Sequence, residues 1–278
     1  MTLTRRDVID LLDRHDVRPS RALGQNFVVD PNTVRRIVRL AELEPAMPVL
    51  EIGPGLGSLT LALTDEGHTV TAVELDRHLL PALAEVTADR PVTVVHADAL
   101  RLDWDATLAS SPRWALVANL PYNVGTSLVL DLLERVPQVD PMLVMVQSEV
   151  GERLAAAPGT EAYGIPSVKL AYRASARVVG RVPPTVFLPR PRVESALVRI
   201  TRRPVPAVGA DPVVLFALID RAFGQRRKML RRSLADVVSP AAFEAAGIDP
   251  ADRPERLGIE AWGRLADAVA AAGGSVGS

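Results

Sequence analysis

Between residues 47 and 147 the chain alternates short apolar runs, rich in β-branched residues, with segments of helical length. The apolar runs predict strands at residues 48–52, 69–74, 92–96, 114–118 and 142–147. The longer segments between them predict helices at residues 56–66, 77–88 and 124–136. Continuously apolar strands are typical of a parallel sheet that is covered by helices on both faces. The sequence therefore predicts an α/β fold whose ligands bind at the carboxyl ends of the strands.

A glycine-rich loop, EIGPGLG at residues 51–57, follows the first predicted strand. Its glycines permit a tight turn and a close approach of the backbone to a bound nucleoside. Glu74 lies 21 residues after Gly53 and ends the second strand, where a carboxylate can accept both hydroxyl protons of a ribose. This pairing suits a dinucleotide or S-adenosylmethionine, although Ser58 stands where the dinucleotide fingerprint has glycine. A purely structural turn is the alternative interpretation.

Polar residues also end the third and fourth strands. Asp98 can accept a hydrogen bond from an adenine amino group, or it can cap a helix. The fourth strand ends in Asn119-Leu120-Pro121-Tyr122. An exocyclic amine is a poor nucleophile, so it must be held in line with a methyl donor. Two acceptors in this turn can hold it, the Asn119 side-chain oxygen and the Leu120 carbonyl, and Pro121 keeps the turn rigid. Tyr122 offers a stacking face for a base. Because this tetrapeptide follows the glycine-rich loop, Glu74 and Asp98 in that order, it favours a catalytic site over a packed structural turn.

The formal net charge of −1 conceals a strong segregation of charge along the chain. Residues 181–232 carry 12 basic and 3 acidic side chains, which is typical of a surface that binds a polyanion. Solvated surface arginines are the alternative. Prolines and a glycine at residues 203–212 predict a linker, so we place a domain boundary near residue 204. Beyond it we expect a small helical domain, with residues 273–278 frayed.

Composition excludes several classes of function. The chain has no cysteine, which excludes thiolate nucleophiles, cysteine-ligated zinc and iron–sulfur clusters. Its four histidines are scattered without ligand spacing, so we predict no metal site. No apolar run approaches the ~20 residues that span a bilayer, and residues 1–16 contain no signal-peptide core. We expect a cytoplasmic, monomeric protein without a membrane partner.

Taken together, the motifs resemble those of the ribosomal RNA adenine N6,N6-dimethyltransferase family, most closely its bacterial small-subunit (16S) branch. The resemblance covers nearly the whole chain. It rests on residues 23–27 (LGQNF), 51–57, 73–76 (VELD), 98–99, 119–122 (NLPY), 187–195 (FLPRPRVES) and 223–228 (FGQRRK).

The resemblance implies a seven-stranded, mostly parallel, Rossmann-like methyltransferase sheet with one reversed strand. Residues 168–201 would supply its last two strands. A methyltransferase domain with an N-terminal extension would cover residues 1–204, and a small helical RNA-binding domain would cover residues 205–278. The implied activity is S-adenosyl-L-methionine-dependent dimethylation of two adjacent adenosines near the 3′ end of 16S rRNA. The implied partner is the immature small ribosomal subunit.

The resemblance also implies roles for individual residues. The positions that match the family's cofactor-binding residues are Asn26, Val28, Gly53, Glu74, Asp98 and Asn119. Tyr122 and Phe187 match the aromatic residues that sandwich the target adenine, so with Asn119, Leu120 and Pro121 they form the expected catalytic set. Val28 stands where the family commonly has leucine, a change that leaves a backbone contact intact.

The basic stretch gains a role from the resemblance. The expected RNA-binding residues are Arg226, Arg227, Lys228, Arg231 and Arg232. Spacings of four residues predict that the last four share one helix, with Leu230, Leu234 and Val237 on its buried face.

Three other functions stay open at this point. They are a large-subunit rRNA adenine methyltransferase that confers macrolide resistance, a mainly non-catalytic assembly factor of the small subunit, and a nicotinamide dehydrogenase. The Asn119–Tyr122 turn disfavours the dehydrogenase, and the motifs at residues 187–195 and 223–228 favour the small-subunit enzyme over its large-subunit relative.

Overall fold

A computed structural model describes residues 2–272. Its strands are β1 (Phe27–Val28), β2 (Val49–Ile52), β3 (Val70–Glu74), β4 (Val92–His96), β5 (Trp114–Asn119), β6 (Val139–Gln147), β7 (Ala174–Val182), β8 (Phe187–Leu188) and β9 (Ser195–Arg202). Its helices are α1 (Arg5–Arg14), α2 (Pro31–Ala41), α3 (Ser58–Asp65), α4 (Leu80–Thr87), α5 (Trp104–Thr107), α6 (Gly125–Arg135), α7 (Ser148–Leu154), α8 (Ile165–Arg173), α9 (Pro212–Phe223), α10 (Leu230–Ser233), α11 (Pro240–Ala246) and α12 (Ile259–Ala271). The fraying predicted for residues 273–278 lies outside the described residues.

Seven strands form one sheet in the order β4-β3-β2-β5-β6-β9-β7. The pairs β2–β3, β2–β5, β3–β4 and β5–β6 are parallel, whereas β9 runs antiparallel to β6. The fold class expected from the alternating pattern is therefore confirmed. Two further strands, β1 and β8, form a small antiparallel sheet that the sequence did not indicate.

By its internal contacts the chain divides into two units, and the chain passes between them more than once. Within the described residues the first unit comprises residues 2–151 and 176–202, and the second comprises residues 152–175 and 203–272. A single boundary near residue 204 does not describe this division, because the segment 152–175 groups with the helical unit. The last two strands of the large sheet were expected within residues 168–201. They are β7 and β9, and the first part of that stretch belongs instead to α8, at residues 165–173.

The second unit has its own apolar core, which explains why residues 152–175 belong to it. Tyr163 is buried there and donates its hydroxyl to the carbonyl oxygen of Leu257 over 2.9 Å. The ring of Phe223 lies between those of Tyr163 and Trp262, with ring centroids 6.3 and 6.2 Å apart. Residues on each side of the β7–β9 insertion thus fill one core.

The helix expected to carry the four basic residues between 227 and 232 is interrupted. Residues 224–227 form turns, residue 228 lies in a bend, and α10 begins only at Leu230. The reason is that the backbone N–H groups of Leu230 and Arg231 donate to the carbonyl oxygens of Asp252 and Pro250, at 2.8 and 2.9 Å, instead of to the preceding helical turn. Within this altered backbone Leu230 and Leu234 are buried as expected, whereas Val237 is only partly buried.

Among residues 2–272, no helix is both long enough and apolar enough to cross a membrane.

Candidate active site

A cavity opens in the first unit at the carboxyl ends of β2, β3, β4 and β5. Neighbouring parallel strands end at the same edge of a sheet, so residues distant in sequence meet there. All six expected cofactor residues and four of the five expected catalytic residues line this cavity: Asn26, Val28, Gly53, Glu74, Asp98, Asn119, Leu120, Pro121 and Tyr122. The structure thus brings together every expected residue of this set except Phe187.

The glycine-rich loop forms one wall, and at Gly55 glycine is needed for two reasons. Its φ is +60°, in the left-handed region that residues with a Cβ rarely adopt. A Cβ at this position would also lie 2.9 Å from two carbon atoms of the Phe27 ring. The loop can therefore keep this shape only while residue 55 has no side chain.

Glu74 ends β3 with a buried carboxylate whose position is fixed by backbone donors. Its Oε1 accepts from the N–H of Asp76 at 2.8 Å, and its Oε2 accepts from the N–H of Gly55 at 3.1 Å. Burial raises the pKa of Glu74, and these hydrogen bonds to the charged form oppose that rise. Each oxygen keeps a second lone pair, so the carboxylate can also accept the two hydroxyl protons of a ribose.

Glu51 is a site residue that the sequence analysis did not single out by itself. It is 1% exposed, lines the cavity and accepts a 2.6 Å hydrogen bond from the Thr60 hydroxyl. Burial, and secondarily the charge of Glu74, raise the pKa of Glu51 to about 8. The available signal was an acidic residue inside an otherwise apolar strand.

Asp98 lines the cavity and is followed by a turn, so the structure does not support its interpretation as a helix cap. Its Oδ1 accepts from the backbone N–H of Leu100 at 3.0 Å, and its Oδ2 lies 3.8 Å from the exposed Arg101 guanidinium. These contacts fix a turn rather than a helix. The carboxylate also lines the cavity, so it caps the turn and presents acceptor oxygens to a ligand.

Asn119 is held by a long-range hydrogen bond. Its Nδ2 donates to the backbone carbonyl oxygen of Asn26 at 3.0 Å. Because the amide N–H₂ group faces that carbonyl, Oδ1 is the end of the amide that can accept a proton from a ligand. Across the described part of the chain, no hydrogen bond occupies this oxygen.

Tyr122 is joined to the motif at residues 187–195. Its hydroxyl lies 2.8 Å from the Oγ of the fully buried Ser195, and burial raises the pKa of Tyr122. The hydroxyl is therefore engaged inside the protein, while the residue lines the cavity. This leaves the aromatic ring as the group that can stack on a ligand.

Residues 23–28 form a further wall that the expected site set included only at Asn26 and Val28. Gln25 binds this segment to the end of β3, because its Nε2 donates to Asp76 at 2.7 Å and its Oε1 accepts from the Ser20 N–H at 2.7 Å. Gly24, at φ +65°, packs so closely that a Cβ would lie 3.2 Å from the Tyr122 nitrogen. The LGQNF motif was the signal for this wall.

Phe187 is not part of the cavity wall. It is 0% exposed, pairs with Val28 across the β1–β8 sheet and packs in the apolar core of the first unit. Phe187 therefore lies outside the cavity wall, and the second stacking face expected opposite Tyr122 stays a prediction. The small sheet that buries it depends on a pairing between strands of two residues each, which no local pattern reveals.

The five expected RNA-binding residues lie in the second unit, on the turns and the short helix at residues 224–233, and all are exposed. Arg226 is partly engaged, since it donates to the Glu161 carbonyl at 2.8 Å and lies 3.9 Å from Glu255. Among the described residues, the other four side chains form neither a hydrogen bond nor an ion pair; they are Arg227, Lys228, Arg231 and Arg232.

The sequence profile of the family described as "Ribosomal RNA adenine dimethylase" matches residues 17–271. The chain belongs to this family. A relative of this dimethylase from Kineococcus radiotolerans, named ribosomal RNA small subunit methyltransferase A, is 54% identical over 274 residues, which are 95% of this chain and 90% of the relative. A protein of the same name from Thermobifida fusca is 49% identical over 276 residues, 95% of each chain.

Solved structures also resemble the dimethylase. The 23S rRNA methyltransferase ErmE has a TM-score of 0.67 at 27% identity and covers 88% of this chain and 99% of its own. A dimethyladenosine transferase from Plasmodium falciparum has a TM-score of 0.71 at 19% identity, covering 85% and 94%, and at that identity it shows the shared fold.

The cofactor of the dimethylase is S-adenosyl-L-methionine, and the cavity fits it chemically. Carboxylates at the ends of β3 and β4, Glu74 and Asp98, offer acceptors for ribose hydroxyls and an amino group. Ser58 also lines the cavity, and within residues 2–272 its Oγ is buried without a hydrogen-bond partner. A buried orphan hydroxyl next to a glycine cradle is consistent with a polar ligand there. No cluster of three or more potential metal ligands occurs among residues 2–272.

Proposed function

We propose that this dimethylase converts two adjacent adenosines near the 3′ end of 16S rRNA to N6,N6-dimethyladenosine, acting on the immature small ribosomal subunit. The observation that carries the proposal is the Asn119 amide, whose orientation is fixed at the edge of the cofactor cavity by the Asn26 carbonyl. The names of the two small-subunit relatives support the choice of substrate.

The reaction needs an acceptor pair for the adenine amine and a methyl donor in line with it. When bound, S-adenosyl-L-methionine supplies an electrophilic methyl group on its sulfonium. Asn119 Oδ1 and the Leu120 carbonyl oxygen accept the two N–H groups of the amine and direct its nitrogen at that methyl group. The Leu120 N–H donates to the Met145 carbonyl at 3.0 Å, which holds the peptide of this turn on the neighbouring strand.

Tyr122 positions the base. The target adenosine must be unpaired or extruded to enter the cavity, and the Tyr122 ring supplies a face on which the adenine stacks. The hydrogen bond between its hydroxyl and Ser195 limits rotation of the ring. After transfer, the methylated amine carries a positive charge and releases its proton to solvent, so no side-chain base is assigned. The same residues hold the monomethylated amine for the second transfer, with one N–H group left to donate.

The second unit contributes RNA affinity. Its four free cations on residues 227–232 match the negative charge of an RNA backbone. We further propose that the protein acts as a monomer in the cytoplasm without a metal, and that the arrangement of rRNA in the immature subunit presents the unpaired adenosines.

The test is transfer of labelled methyl from S-adenosyl-L-methionine to small subunits that lack this modification, with large subunits in parallel, followed by nucleoside analysis and mapping. Dimethyladenosine at two adjacent 3′-end positions of the small-subunit RNA is the expected product. Label confined to the large subunit would overturn the proposal in favour of the activity named for ErmE. Tight binding to small subunits without label would indicate an assembly factor.

A further inference from the structure

The loop at residues 189–194, which joins β8 to β9, is fixed at both ends to the wall of the cofactor cavity. Before the loop, Phe187 pairs with the cavity-lining Val28. After the loop, Ser195 lies 2.8 Å from the hydroxyl of Tyr122, the residue on which the target base stacks in the proposed function. The loop therefore lies beside the place where the target nucleotide enters.

The loop carries two exposed cations that the protein itself does not use. Among the described residues, neither Arg190 nor Arg192 has a hydrogen bond or an ion pair from its guanidinium. The next two arginines along the chain differ, because Arg199 binds Glu42 and the Leu40 carbonyl, and Arg202 donates to backbone carbonyls at the end of α6. The protein pairs the arginines of β9 and leaves those of the loop free.

We propose that Arg190 and Arg192 bind backbone phosphates of the RNA strand next to the target adenosine and so position that adenosine over the cavity. This inference rests on the proposed function, which it deepens. A base held in the cavity leaves its own and its neighbours' phosphates at the cavity edge, where free guanidinium groups bind them with charge-assisted hydrogen bonds. Both are positioning residues and take no part in the chemistry.

The loop belongs to the first unit, whereas the cations at residues 227–232 belong to the second. Those side chains can hold RNA anywhere along its length, whereas the loop acts on the nucleotides that flank the reacting base. Glu194 is the one acidic residue in the loop, and its backbone carbonyl accepts from the Ser148 N–H at 3.0 Å, which further fixes the loop against the first unit.

The first experiment compares Arg190→Gln/Arg192→Gln with the wild type on small subunits lacking the modification. We expect KM for the subunits to rise about tenfold, and the slope of log affinity against log salt to fall by about 1.4, since each phosphate contact to a single strand accounts for ~0.7. Affinity for S-adenosyl-L-methionine, measured by calorimetry, should not change. Arg190→Lys/Arg192→Lys should recover most of the affinity, because lysine retains the charge.

A matched control is Arg5→Gln/Arg39→Gln, which removes the same charge from two exposed arginines of the same unit. No side-chain partner is found for either within residues 2–272. Arg39 lies in the last turn of α2. Ala41 at the end of α2 belongs to the same apolar core as Met47, which precedes β2 at the end of the strands opposite the cavity. If the loop variant and this control have the same KM and salt slope, the inference is wrong.

A second experiment measures binding directly and does not depend on catalysis. A short fluorescent single-stranded RNA with two adjacent adenosines is compared with the same RNA carrying uncharged methylphosphonates beside them. The wild type should bind the neutral RNA about tenfold more weakly than the charged RNA. The Arg190→Gln/Arg192→Gln protein should bind the two RNAs with nearly equal affinity, because it lacks the groups that contact those phosphates. An equal loss in both proteins would overturn the inference. Failure of the proposed function would show instead as a wild type that methylates no small subunit, and the binding comparison would still decide the role of the loop.

Discussion

Asn119 and Asn26, which are 93 positions apart, are joined by a hydrogen bond of 3.0 Å from the Asn119 Nδ2 to the Asn26 backbone carbonyl. The bond decides which end of the amide can accept a proton from the substrate. It also attaches the N-terminal wall of the cavity to the turn that carries the acceptors. One contact therefore shapes the cofactor cavity and orients the group that we propose to accept the adenine amine.

Replacement of Asn119 tests this orientation. We expect Asn119→Ala to lower the rate of methyl transfer about 100-fold, because the amine loses an acceptor held in line. Asn119→Asp should be impaired to a similar degree, since a carboxylate cannot donate to the Asn26 carbonyl and would place two acceptors face to face. Single-turnover transfer measures the rate, and calorimetry measures cofactor affinity in the same variants. Wild-type rates in the aspartate variant would contradict the assigned role.

Much of the cavity could be predicted from sequence because its residues follow parallel strands. The predicted strand at residues 92–96 coincides with β4, and the one at 69–74 differs from β3 by one residue. Once the strands are placed, Gly53, Glu74 and Asn119 must lie at one edge of the sheet. Local apolar runs thus determine most of the site.

The features that could not be predicted depend on contacts between distant segments. Phe187 is buried by a two-residue pairing with β1, and the helix through Arg227 is interrupted by hydrogen bonds from Leu230 and Arg231 to residues 250–252. Spacing along the chain contains no information on either partner. Similarly, α8 joins the second unit through a shared core that includes Tyr163, although three strands of the first unit follow it in the chain.

Gly55→Ala should perturb the N-terminal wall, and Gly67→Ala is its matched control. Both glycines have positive φ, +60° and +87°, so each variant incurs the cost of a left-handed alanine, about 1 kcal/mol. Only at residue 55 would the new Cβ also meet the Phe27 ring at 2.9 Å, while nothing lies within 4 Å at residue 67. We expect Gly55→Ala to lose more stability in urea unfolding, by about 1–3 kcal/mol, and to bind cofactor more weakly. Equal stability of the two variants would show that Phe27 moves aside at no cost.

Glu51 gives stability a specific pH dependence. Its pKa is about 8 in the folded chain against an ordinary 4.5. Between these values the unfolded chain has released a proton that the folded chain retains, so this group makes stability fall as pH rises from about 4.5 to about 8, by at most ~1.4 kcal/mol per pH unit. Glu51→Gln removes the titrating group and should flatten that part of the curve in urea unfolding. Parallel pH profiles of variant and wild type would show that Glu51 does not titrate in this range.

Phe187 and Tyr122 should respond in opposite ways to replacement by leucine. Phe187 is fully buried in the core, so Phe187→Leu should lower the free energy of unfolding by about 1–3 kcal/mol with little change in KM for small subunits. Tyr122 lines the cavity, so Tyr122→Leu should raise KM or lower kcat because the base loses its stacking face, worth about 1–3 kcal/mol. A large rise in KM for a stably folded Phe187→Leu protein would instead support the second stacking face that the family resemblance implies.

The cations of the second unit should determine a general, salt-sensitive affinity for RNA. Arg227→Glu/Lys228→Glu reverses two exposed charges that have no side-chain partners among the described residues. We expect RNA affinity to fall at least tenfold, with a shallower salt dependence, because two phosphate contacts become repulsive. Cofactor affinity should not change, since every residue that lines the cavity belongs to the first unit. Arg5→Glu/Arg39→Glu is the control, because it makes the same change in net charge at two other exposed positions. An equal loss of RNA affinity in that protein would show that residues 227 and 228 act only through the total charge of the protein.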